Sequence, residues 1–225
     1  MSQIPGIFWM VLVGGGIGVI FALLLIRYIL RADSGTAAMQ DVNVMITEGA
    51  WAFIRRQYST IGITAVVVAA IIGVLLGKLS SPAELEMLGL TAFGLGWRTG
   101  VAFLVGGICS CVSGIVGMWI AVKSNVRCAA ASHHGLNAAI KVALRGGAVS
   151  GFLIVALSLL GVTAIFFAFG GATHPEIAPH IIVGFGFGAS MVALFAQLGG
   201  GIYTKAADMG ADLAGKVEAG IPEDD

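Results

Sequence analysis

The 225 residues are 58% hydrophobic and 11% charged, with a mean hydropathy of +0.98. A soluble domain carries about 25% charged residues, so this composition excludes both a water-soluble globule and a disordered chain. Twelve basic residues balance twelve acidic ones, which excludes a basic nucleic-acid binder.

A bilayer core takes about 20 apolar residues as helix. The first such run spans residues 4–26, with no charge inside it and no Lys or Arg before it. It lacks the basic start and small-residue cleavage site of a signal peptide and is expected to be a retained helix. Between Asp33 and Tyr58 the apolar positions Ala38, Val42, Met45, Ile46, Gly49, Ala50, Phe53 and Ile54 recur at spacings of three and four. That periodicity predicts a helix, capped by Asp33 or Ser34, running into a second span at 58–77 and projecting from the membrane. Ser80, Ser81 and Pro82 read as a turn. A third span covers 99–122, and 124–144 is expected to project as a helix in the same way. Its adjacent His133 and His134 diverge on a helix and are not a metal pair. The three cysteines, Cys109, Cys111 and Cys128, read as small helix residues rather than a disulfide framework or metal site. A fourth span covers 146–171, a polar turn follows at Thr173 to Glu176, and a fifth span covers 180–203. The run Gly184 to Gly188, with alternating phenylalanines, has no strand before it, so it reads as a close helix-packing face rather than a dinucleotide loop.

Ten of the twelve basic residues lie in the connections on one side or after span five; only Lys78 and Arg98 lie on the other. The positive-inside rule therefore places the N-terminus outside and the C-terminal segment in the cytoplasm. Half the acids gather there, in the last 18 residues.

On a helical wheel with Lys205 at zero, Asp208 falls at about 300°, Asp212 at about 340° and Lys216 at about 20°. Gln197 lies about 16 Å below Asp208 along the axis. Carboxylates one turn apart are hard oxygen ligands suited to Mg²⁺, which keeps positions for water and phosphate oxygens. Lysines beside them are point charges for phosphate. The pattern reads as a metal–diphosphate site, with Glu223 and Asp224 able to add ligands where the chain turns after Pro222. An ion-paired solvated helix explains the bare pattern equally well.

The full string from Gly199 to Asp225, with Asp208, Lys216 and Glu218 in an Asp-x7-Lys-x-Glu pattern, resembles the signature of membrane-bound, ion-pumping pyrophosphatases. Arg31 to Gln40, Glu48 to Arg55, Gly117 to Arg127 and Arg145 to Ala148 resemble that family too, so the likeness covers nearly the whole chain in order. The resemblance implies an all-α membrane protein of about five transmembrane helices, forming part of a larger bundle of the sixteen-helix type. It implies that Lys205 contacts pyrophosphate and that Asp208 and Asp212 ligate Mg²⁺. Lys216 and Glu218 belong to the essential motif, and Glu223 and Asp224 to the acidic mouth. It implies export of H⁺ or Na⁺, K⁺ as a candidate activator, and a homodimer of the intact protein. The absence of an N-terminal targeting extension points to a prokaryotic plasma membrane as the expected location. Many members of the family carry Arg at the gate level where this chain has Gln197, which keeps hydrogen bonding without a fixed intramembrane charge. On this reading residues 1–203 are the transmembrane region and 204–225 the start of the site. The chain is an N-terminal part, expected to be inactive alone. A non-catalytic truncated fragment is one alternative. An intramembrane Mg²⁺/diphosphate-dependent prenyltransferase is another, although no second Asp-rich motif is visible.

Overall fold

The computed structural model describes residues 6–220 and 222. Among these, all regular structure is helical: α1 (Gly6–Arg31), α2 (Ala37–Leu79), α3 (Pro82–Leu88), α4 (Ala92–Ser132), α5 (Leu136–Ala168) and α6 (Ala178–Ala214). α6 runs on into a π-helical turn, Gly215–Ala219. The five long helices are each long and apolar enough to cross a membrane. Their outer faces expose large apolar side chains such as Ile17, Leu24, Ile63, Val66 and Leu194, which suits contact with lipid rather than water.

α2 contains the predicted cytoplasmic helix and second span without a break. Its 43 residues make a rod of about 65 Å, twice the ~30 Å hydrocarbon core, so it extends well beyond a membrane. The cap differs from the expected one. Thr36 accepts from Met39 N at 3.4 Å, while Asp33 Oδ1 instead accepts from Gly35 N at 3.0 Å in the preceding turn.

Two connections differ from expectation. The segment after Ser81 forms the short helix α3, with Pro82 at its first position, where a missing N–H costs nothing. Leu88 is buried in a cluster that includes Leu95, Ile177, Ile181 and Phe185, which anchors this helix near the ends of α4 and α6. The 124–144 segment does not form one helix. α4 ends at Ser132, and Gly135 adopts φ of 105°. A side chain rarely adopts that conformation, and it turns the chain back into α5. The histidine pair sits in this turn.

α4 lies at the centre, packed against α2, α5 and α6, while α1 packs on α5. The α4–α6 seam is built from backbone. A methyl placed on Gly188 would collide with the Phe103 carbonyl, and one on Gly106 with the Phe185 carbonyl. The glycine-phenylalanine run is thus a close-packing face, as membrane helices use small residues.

Candidate functional site

The charged stripe stands on the last turns of α6, beyond its apolar part. Lys205 Nζ donates to Asp208 Oδ2 at 2.6 Å, with the two side chains 70% and 59% exposed. Asp212 follows one turn on, partly buried. The hydrogen bond to Asp208, then the charges of Asp208 and Asp212, hold the Lys205 ammonium above its ordinary value. Because that value is raised, the pair is intact at neutral pH and is lost only as pH rises through the elevated range. Lys216 and Glu218 are exposed in the π-helical turn. Glu223 and Asp224 lie outside the described residues.

α2 positions this end of α6. Gln57 Nε2 donates to the Phe195 carbonyl at 2.8 Å. Gly199 makes room for it, since a Cβ there would lie 2.5 Å from the Gln57 amide. One turn further out, Phe53 and Tyr203 pack with ring centroids 5.1 Å apart. Gln197, exposed on α6, stands between these two contacts. Sequence reasoning missed Gln57 and Tyr203. Gln57 reads as one polar residue in an amphipathic stretch, and only the pairing of α2 with α6 shows its task.

Asp208 and Asp212 suit Mg²⁺ chemically: both are carboxylates, one turn apart, with open space that water and phosphate oxygens could fill. Among the described residues no three His, Cys, Asp or Glu side chains converge, so these residues offer part of a coordination sphere.

Residues 16–225 match the family model described as inorganic H⁺ pyrophosphatase. The chain belongs to that family. It is 51% identical over 212 residues to the K⁺-insensitive pyrophosphate-energized proton pump 2 of Moorella thermoacetica, covering 94% of this chain and 28% of that protein. It is 52% identical over 219 residues to the K⁺-insensitive pyrophosphate-energized proton pump of Caldanaerobacter subterraneus, covering 93% and 30%. It is 40% identical over 218 residues to pyrophosphate-energized membrane proton pump 3 of Arabidopsis thaliana, covering 93% and 27%. The chain thus spans under a third of the length of these relatives. Membership of the H⁺ pyrophosphatase family separates the acidic end of α6 from the prenyltransferase alternative.

Proposed function

We propose that this chain forms the N-terminal part of a membrane pump in which hydrolysis of Mg²⁺–pyrophosphate at the cytoplasmic face drives export of protons. The observation that carries the reading is the Lys205–Asp208–Asp212 stripe on a helix continuous with a membrane span. Lys205 binds pyrophosphate oxygens: its ammonium, held protonated by Asp208, exchanges a carboxylate partner for a phosphate one. Asp208 and Asp212 hold Mg²⁺, and Glu223 and Asp224 extend the acidic mouth. Bound Mg²⁺ would supply neutralisation of the leaving phosphate. Lys216 and Glu218 act with this set, and Gln197 lies at the level of the ion gate. The proton-pump names of the relatives favour H⁺ over Na⁺, and the potassium insensitivity in two of them favours a pump without a K⁺ requirement. The intact protein is a homodimer in a prokaryotic plasma membrane, with ten basic residues marking the cytoplasmic side.

The test uses the complete protein that carries this segment, reconstituted in vesicles. Asp208→Ala should abolish both pyrophosphate hydrolysis and proton uptake, and replacing Na⁺ or K⁺ in the buffer should change neither in the parent. Unchanged hydrolysis in the variant would sink the assignment. The 225-residue chain by itself should show no Mg²⁺-dependent turnover; turnover abolished by Asp208→Ala would instead mean an autonomous enzyme.

A further inference from the structure

A second charged feature lies where α1 leaves the apolar layer, away from the α6 stripe. Arg27, Tyr28 and Arg31, with Leu24, line a cleft of about 400 Å³ on one face of α1. Arg145 of α5 reaches this face, and its guanidinium lies 4.0 Å from the centroid of the Tyr28 ring. Stacking occupies the flat face of a guanidinium and leaves the N–H donors on its edge for an oxyanion. Arg127 of α4 ties the same corner together by donating from Nη2 to the Leu30 carbonyl at 3.4 Å.

The charge here is unbalanced. Among the described residues no ion pair joins Arg27, Arg31 or Arg145 to a carboxylate. The acid nearest in sequence, Asp33, is engaged with the Gly35 N–H. The last turn of a helix also favours positive charge and repels anions. Arginines accumulated there therefore do more than suit α1's own terminus only if they meet an outside anion.

The face below the cleft says which anion. With Tyr28 at zero on the wheel, Arg27, Arg31, Leu24, Ile20 and Ile17 fall within an arc of about 100°. Ile17, Ile20 and Leu24 are exposed apolar side chains. A greasy track therefore leads directly into a basic cleft on one helix face. A soluble phosphate would use only the basic end, whereas an acyl chain with a phosphate headgroup matches both.

We propose that this cleft binds an anionic phospholipid, its phosphate held by Arg27, Arg31 and the stacked Arg145 and an acyl chain lying along Ile17, Ile20 and Leu24. Basic pockets between membrane helices recognise such headgroups elsewhere. This inference needs only the membrane setting and is independent of the pyrophosphate site.

The test is native mass spectrometry of the 225-residue chain released from nanodiscs of equimolar phosphatidylglycerol and phosphatidylcholine. The chain should retain phosphatidylglycerol in preference, and Arg27→Gln/Arg31→Gln should reduce the preference by about fivefold per arginine. Both side chains are exposed, so the fold should survive. Arg55→Gln/Arg56→Gln removes the same charge from the same side of the chain but outside the cleft, and should keep the preference. Arg145→Lys, which keeps charge and loses stacking, should lose part of it. The proposal is overturned by equal loss in the Arg55/Arg56 control, by no preference in the parent chain, or by displacement of the lipid with millimolar inorganic phosphate or pyrophosphate, which would assign the cleft to a soluble anion.

Discussion

Lys205 and Asp208 are joined by a 2.6 Å contact, yet both face solvent, so their pairing contributes little to stability. Their value lies in keeping an ammonium and a carboxylate close enough for one ligand to meet both. In the complete protein, Lys205→Ala should lower kcat/KM for pyrophosphate about 10- to 100-fold, the weight of a hydrogen bond to a charged group. Lys205→Arg should recover part of it, and steady-state phosphate release reads both. Gln57 acts differently, because it holds the helix that carries the site. Gln57→Ala should cost about 1 kcal/mol of stability, read as a lower detergent melting temperature of the 225-residue chain. The Lys205–Asp208–Asp212 stripe is legible in the sequence because residues three and four apart share a helix face. Gln57 is not legible, because its partner is a carbonyl 138 positions away and no local pattern encodes that meeting.

At the scale of elements, the five spans follow from apolar run lengths, and the continuity of α2 from its unbroken periodicity. The turn at His133–Gly135 escapes that reasoning. Ala129–Ala131 before it and Ala138–Ala139 after it favour continuous helix, and one glycine in a glycine-rich chain carries no mark that its φ is positive. α3 escapes for another reason: seven residues are too few for periodicity to speak, and the burial of Leu88 holds the helix in place. The α4–α6 seam yields a paired prediction. Gly188→Ala pushes a methyl into the Phe103 backbone, and overpacking of this kind costs about 1–3 kcal/mol. Gly186→Ala, two residues away, meets nothing within 4 Å and should be silent. Melting curves of the two variants check it; equal melting temperatures would mean that the seam relaxes without cost.

For the whole molecule, the positive-inside rule predicts that α3 and the Phe169–Ile177 connection lie on the outer side of the membrane, and the His133–Gly135 turn and the end of α6 on the inner side. In vesicles or cells, with Cys109, Cys111 and Cys128 replaced by serine, Ala83→Cys should react with an impermeant maleimide from outside. Ala206→Cys should react only after permeabilisation, and the reverse pattern would invert the orientation. The backbone seam between α4 and α6 bears on motion as well as on stability. Helices that interlock through bulky ridges and grooves can shift only if side chains change rotamer. Where Gly106, Gly184 and Gly188 stand, the two helices meet backbone to backbone, and Ile181, Phe185 and Val192 of α6 are buried beside these contacts, so the seam is both tight and keyed by side chains. Such a joint resists sliding as well as separation, and it couples the charged tip of α6 to α4 through a shared shaft.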